Sequence, residues 1–203
     1  MTFYDDYFKT LLKFNKHKKL RRHPLWGVAL FMGITVAFHV LWRLTLPWFE
    51  TASWYVALAD FTTEQAYLAA AWINDLLLGE SITRIDESCT FRLEGAREGG
   101  RIFTGHLIID HTCSGLKQFY QAVVLFLLYP GPRKHKLWYI PVAILVMHVT
   151  NILRIVALSF TMLYTYQHWD FVHDWVVRPG FYVVLFGLWM VWEEKFRAKS
   201  VTH

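Results

Sequence analysis

Pro130-Gly131-Pro132-Arg133-Lys134-His135-Lys136 separates two long apolar runs, and its reading orients the whole chain. Two prolines around a glycine stop one helix and permit a tight turn before the next. The cations Arg133, Lys134 and Lys136 mark that turn as cytoplasmic, because basic residues beside membrane helices stay on the inner side. The run before it, residues 114–130, and the run after it, about 137–163, are expected to cross a bilayer in opposite directions.

The composition agrees. With 55% of its 203 residues hydrophobic, 18% aromatic and ten tryptophans, the chain is too apolar for an ordinary water-soluble domain. A net charge of +5 raises nucleic acid as a partner, but the cations sit beside apolar runs and not on an aromatic-interleaved surface, so nucleic acid is excluded and membrane lipids take its place. Residues 1–24 carry Lys9, Lys13, Lys16, Lys18, Lys19, Arg21 and Arg22 and read as a basic cytoplasmic arm. The run that follows, about 25–46, ends in Trp42-Arg43-Leu44-Thr45-Leu46-Pro47-Trp48 with no small-residue cleavage site, so it reads as a retained first span and not a signal peptide. A last run, about 179–192, closes on Glu193-Glu194-Lys195-Phe196-Arg197-Ala198-Lys199, and 193–203 reads as a cytoplasmic tail.

The expectation is an all-α polytopic membrane protein with about four clear transmembrane helices, forming one integral-membrane domain over 25–192. Segment 51–78 is interrupted by Asp60, Glu64, Asn74 and Asp75, and the parity of its neighbours makes it cross twice or not at all. It is expected as helices lying at or dipping into the outer interface, with a two-crossing hairpin as the alternative. Between about 82 and 112, short β-prone runs flank Glu94-Gly95-Ala96-Arg97-Glu98-Gly99-Gly100, which reads as an extracytoplasmic hairpin.

That hairpin leads into Asp110-His111-Thr112-Cys113-Ser114-Gly115-Leu116, placing Cys113 where a polar segment becomes an apolar helix. A thiol in the first turn of a helix feels its positive end and free N–H groups, which favour the thiolate, and small Ser114 and Gly115 let a substrate backbone approach. Arg154 lies inside Asn151-Ile152-Leu153-Arg154-Ile155; a charge in a membrane helix is costly and points to function. Counted from Trp138 it lies ~24 Å up its helix, level with Cys113. Its planar fork suits a thiolate, an oxyanion or a carboxylate. His173, in the loop 164–178, could take the thiol proton or protonate a leaving amine; its residue type leaves the two open. Asn151, one turn before Arg154, is assigned to orienting it or bonding a neighbouring helix.

The order Cys113-Ser114-Gly115-Leu116, then Asn151-x-x-Arg154-Ile155, then His173 resembles the exosortase/archaeosortase family, polytopic enzymes that process C-terminal sorting signals of exported proteins. Phe171-Val172-His173-Asp174, Phe181-Tyr182 and Leu188-Trp189-Met190-Val191-Trp192 resemble its compact subgroup from Bacteroidota. The resemblance implies Cys113 as nucleophile, with Arg154 and His173 completing the site and Asn151, Ser114 and Gly115 supporting it. It implies a cysteine protease-transpeptidase whose partners are exported proteins ending in a short motif, a transmembrane helix and a basic tail, with water, a lipid or a glycan as acceptor. Neither cofactor nor metal is expected, since no zinc spacing, phosphate loop or nucleotide fingerprint is present.

Other readings stand beside these. Cys89 could pair with Cys113 in a disulfide, which would extinguish the nucleophile. Arg154 could snorkel, His111 is the substitute base, and His148 reads as helix packing. In another class altogether, the chain is a non-enzymatic scaffold or accessory protein of polysaccharide or protein export, with Arg154 on lipid phosphate and Cys113 inert. A quinone-linked thiol oxidase lacks the C-x-x-C pair it would need.

Overall fold

The computed structural model describes residues 24–96 and 102–197. The basic arm, the tip of the hairpin (97–101) and the last residues of the tail lie outside them.

Helix α1 (Pro24–Glu50) is followed after a two-residue break by α2 (Ser53–Leu78). A small antiparallel sheet comes next, in the order β1 (Ile82–Ile85), β2 (Thr90–Ala96), β3 (Ile102–Ile108). Then come α3 (Leu116–Leu128), the long α4 (Arg133–Tyr164), and a last helical run containing α5 (Arg178–Trp192) between π-helical segments Val172–Val177 and Glu193–Arg197.

Three helical stretches have the length and composition to cross a membrane: Leu25–Glu50, Arg133–Tyr164 and Tyr166–Phe196. Their outward faces are apolar: on α4, Leu137, Leu145 and Leu153 are 81%, 61% and 57% exposed, a pattern suited to lipid and not to water. Four clear spans were expected, and the run 114–130 is the one that falls short. It folds as a thirteen-residue helix, roughly 20 Å long against a hydrocarbon layer of ~30 Å, because Ser114 and Gly115 are spent on a turn before it begins.

Segment 51–78 contains one continuous helix, not a crossing hairpin. Its small residues Ala66, Ala70 and Ala71 are completely buried and join the sheet and the far half of α4 in one apolar cluster. Asn74, one of the polar residues that broke the apolar pattern, donates to Ser159 of α4 at 3.0 Å, and Ser159 donates in turn to the Ile155 carbonyl. Such pairs join helices where water is scarce.

The β element is three-stranded where a hairpin was expected. The extra strand arises because the 3₁₀ turn Asp86–Ser88 and left-handed Cys89 (φ 44°) fold Ile82–Ile85 back on β2, pairing Ile82 with Leu93. The sheet lies against the last turns of α4. A Cβ at Gly105 would stand 2.8 Å from the Met162 methyl, and one at Gly95 2.7 Å from Leu163, so the strands approach this closely only with glycine there. A second cluster, with Phe31, Phe126, Tyr139, Trp189 and Trp192, fills the other half of the molecule among α1, α3, α4 and α5.

The sheet is anchored through Phe91, which is fully buried and stacks on Tyr67 of α2 with centroids 4.7 Å apart. Phe91→Ala is expected to cost roughly 3–5 kcal/mol, read as an early thermal transition in detergent. An unchanged melting curve would mean that the sheet contributes nothing to the fold.

Candidate functional site

The segment joining β3 to α3 is built from its own short polar side chains. The Asp110 carboxylate accepts from the Thr112 backbone N–H at 2.9 Å and from its hydroxyl at 2.6 Å, closing the 3₁₀ turn His111–Cys113. The chain then reverses at Gly115, whose φ of 78° is left-handed and whose missing Cβ would sit 3.2 Å from the Asn151 amide nitrogen. Only glycine meets both demands without strain. Ser114 is buried, and its hydroxyl accepts from the Leu116 N–H at 3.4 Å.

This geometry corrects one expectation. Cys113 does not occupy the first turn of a helix: α3 begins at Leu116, and Cys113 ends the separate turn before it. The macrodipole of α3 is therefore not what acts most directly on the thiol, since that effect is confined to a helix's first turn.

The direct contact is Arg154. Its Nη2 donates to the Cys113 sulfur at 3.8 Å. The guanidinium lies 6.0 Å from the centre of the Phe181 ring, and its Nε–H is buried without a partner. Among the described residues no carboxylate pairs with Arg154, so its charge faces the sulfur with donor capacity to spare. Asn151, completely buried, donates to the Cys113 carbonyl oxygen at 2.7 Å. Its hydrogen bond goes neither to the arginine nor to a neighbouring helix, but to the loop that carries the thiol.

His173 sits apart. Among the described residues it makes no hydrogen bond to Cys113; its Nδ1 lies 3.0 Å from the Asp174 carboxylate, and its ring stacks on Trp169 at 5.9 Å and 9°. A carboxylate only accepts, so Nδ1 carries the proton and Nε2 is left free. Arg178 holds the same Asp174 oxygen at 3.0 Å. The π-helical turn around His173 has a local cause: Pro179 has no N–H to give the Trp175 carbonyl, which loosens the α-helical ladder there.

His111, the substitute base, pairs with Asp60 of α2 at 3.3 Å, and His148 packs edge-on against Phe119 at 5.9 Å. Both cysteines are free thiols, which removes the Cys89–Cys113 disulfide. They face different surroundings. Cys89 lines an acidic pocket of about 500 Å³ with Asp60, Glu64, Asp86 and Glu87. Burial, followed by the negative charges of Glu64, Asp86 and Asp60, pushes its thiol above the ordinary value. On the other side of the 110–112 turn lies a cleft of about 730 Å³ lined by Asp110, His111, Thr112, Ser114 and Gly115 together with His39, Arg43 and Lys117.

Several of these residues escaped the sequence reading. Asp110 and Thr112 carried a legible signal, the Asp-x-Thr spacing of a side-chain-closed turn. Phe181 entered only as part of a family resemblance, and in a chain that is 18% aromatic nothing in it or in Trp169 announced a contact with Arg154 or His173.

Membrane-compatible helices, a small sheet and a cysteine–arginine contact at their junction define the class: a membrane protein with a thiol-bearing polar site. The chain belongs to the transmembrane exosortase family, whose model, described as "Transmembrane exosortase (Exosortase_EpsH)", matches residues 24–192. No curated protein and no solved structure matches it.

The raised Cys89 thiol gives a pH prediction. A thiol whose proton is held more tightly has less thiolate at neutral pH, so in Cys113→Ala protein the alkylation of Cys89 by N-ethylmaleimide should be slow at pH 7. It should still climb about tenfold per pH unit through pH 8.5. A plateau below pH 8 would contradict the assigned environment.

Proposed function

We propose that the chain is a membrane-embedded cysteine protease-transpeptidase that cleaves the C-terminal sorting signals of exported proteins. The observation that carries the reading is the Arg154 guanidinium on the Cys113 sulfur at 3.8 Å, with its Nε–H unpartnered. The family supplies the substrate class: exported proteins with C-terminal sorting signals.

In this mechanism the Cys113 thiolate, paired with Arg154, attacks the scissile carbonyl and forms a C–S bond. The negative charge moves to the carbonyl oxygen, and the donors of Arg154 turn to it as it leaves the sulfur. Collapse breaks the C–N bond, the proton that the Cys113 thiol gave up to Nε2 of His173 passes on to the leaving amine, and a thioester remains on Cys113. Water then releases a cleaved protein, or an amine on a lipid or glycan takes the acyl group and anchors it. Asn151 is a positioning residue, acting through the Cys113 carbonyl, and Gly115 gives the turn its conformation.

The same reading is multi-pass, with 25–192 as the catalytic domain between a cytoplasmic arm and tail in a bacterial inner membrane. With α3 and the turns at its two ends as a short fourth crossing of a locally thinned layer, the basic turn 133–136 lies inside, and the sheet, Cys113 and His173 lie outside.

The test is processing of an exported substrate by variants of equal expression and thermal stability. Cys113→Ala is expected to abolish it and Cys89→Ala to retain most of it. Arg154→Lys keeps charge and stem but loses the fork, and should cut turnover by on the order of 10²-fold. Undiminished processing in Cys113→Ala would return the chain to the scaffold reading, and near-parental turnover in Arg154→Lys would remove the arginine from the chemistry.

A further inference from the structure

His173 is held by neighbours that the thioester chemistry has not yet used. Trp169, one turn before it, and Val177, one turn after it, both pack on the apolar cluster against which Cys113 and Ile152 also pack. Phe181, a further turn along, lies 6.0 Å from the Arg154 guanidinium. Residues at this spacing share a helix face, so His173 stands on the face turned to the cluster that carries the thiol. Exposure agrees: the His173 side chain is 27% exposed, against 47% for Asp174 and 64% for Arg178. The imidazole points inward, and its two charged neighbours lie on its outer side.

Asp174 follows His173 directly, and consecutive side chains of an α-helix do not face each other. Here they meet, with Nδ1 of His173 3.0 Å from Oδ1 of Asp174. The pair lies in the π-helical segment Val172–Val177, whose wider turn brings consecutive side chains closer around the axis. Arg178, four residues beyond Asp174, donates from Nη1 to the same Oδ1 at 3.0 Å. A surface pair of aspartate and arginine at that spacing needs no functional account by itself. This one differs because its carboxylate also binds a ring nitrogen, opposite the nitrogen that the thiol proton must reach.

We propose that Asp174 is the positioning residue of the proton transfer and that Arg178 fixes Asp174 for that task; the inference rests on the thioester reading above. A carboxylate only accepts, so Asp174 keeps a proton on Nδ1 and leaves the lone pair of the neutral ring at Nε2. Nε2 takes the proton of the Cys113 thiol and passes it to the leaving amine. Nδ1–H stays bonded to Asp174 throughout, and the positively charged ring gains a counter-charge between the two transfers. The opposite tautomer already carries a proton at Nε2 and cannot accept the thiol's. Arg178, always protonated, holds the carboxylate oxygen in place. The stack on Trp169 holds the plane of the ring.

The first measurement needs no turnover. Ring ¹⁵N shifts are recorded in detergent on the histidine-labelled full chain carrying Cys113→Ala, at about pH 9, well above the ordinary histidine value of about 6.5. His173 is assigned among the ten histidines by the signals that His173→Gln removes. It is expected as the Nδ1–H tautomer. Asp174→Asn offers the ring an amide N–H while its oxygen stays with Arg178, and is expected to move the ring proton to Nε2. With Cys113 restored, Asp174→Asn should lower substrate processing by about 10²-fold or more at equal expression and thermal stability. Asp174→Ala with Arg178→Gln balances the charge without supplying an acceptor, and should be as impaired. An Nε2–H tautomer in the parent, or an unmoved proton in Asp174→Asn, overturns the proposal. So does near-parental processing by Asp174→Ala with Arg178→Gln, which would reduce Asp174 to a counter-charge for Arg178. Undiminished processing in Cys113→Ala would strike the thioester reading and the role of His173 with it, whatever the tautomer.

Discussion

The site depends on one hydrogen bond, from the buried amide of Asn151 to the carbonyl of Cys113 at 2.7 Å. Without it, the turn from β3 into α3 has no strong tie to α4 at the point where the thiol projects. The bond fits because Gly115 contributes no Cβ, leaving room for the Asn151 amide against the backbone of the turn. In a region poor in water, a carbonyl deprived of its donor costs about 1–3 kcal/mol, so the constraint acts on the fold and the site together. One helical turn further along α4, Arg154 reaches the sulfur. The spacing of the two residues converts a single helix face into both the holder of the loop and the charge on its thiol.

Helix α4 is accordingly the spine of the molecule. Its far end carries the sheet on Met162 and Leu163 and takes α2 through Ser159 and Asn74. Its near end is bound to the turn it follows: Lys136 donates to the carbonyls of Leu127 and Tyr129 at 2.8 and 2.7 Å, satisfying the end of α3. The Tyr139 hydroxyl reaches the Leu188 carbonyl of α5 at 2.6 Å, and Trp192 donates to Pro130 at 3.1 Å. Polar side chains thus tie the helices at both ends of a bundle whose middle is apolar.

Much of this was legible in the chain. The apolar runs marked the long helices, the Pro130–Pro132 turn marked the break between α3 and α4, and Cys113, Asn151 and Arg154 were singled out by residue types that are expensive or unusual in such runs. What escaped depended on the third dimension. That Ser114 and Gly115 belong to a turn and not to α3 follows from Asn151, which holds Cys113 from thirty-eight residues further along the chain. The third strand depends on a left-handed Cys89, a conformation nothing in its residue type announces. The uninterrupted course of α2 past Asp60, Glu64 and Asn74 depends on partners on other elements: His111 for Asp60 and Ser159 for Asn74. The tie between His173 and Asp174 was readable as neighbours, but the stack on Trp169 that orients the ring was not.

The central claim is that the Cys113 sulfur takes the acyl group of a substrate. The most direct measurement is intact-protein and peptide mass spectrometry of full-length protein incubated with an exported substrate and quenched in acid. The account requires an adduct of the substrate's N-terminal fragment, mapped to Cys113 and released by neutral hydroxylamine as a thioester is. An adduct on Cys89, or rapid substrate cleavage in single turnover with no acyl intermediate on either cysteine, would contradict it.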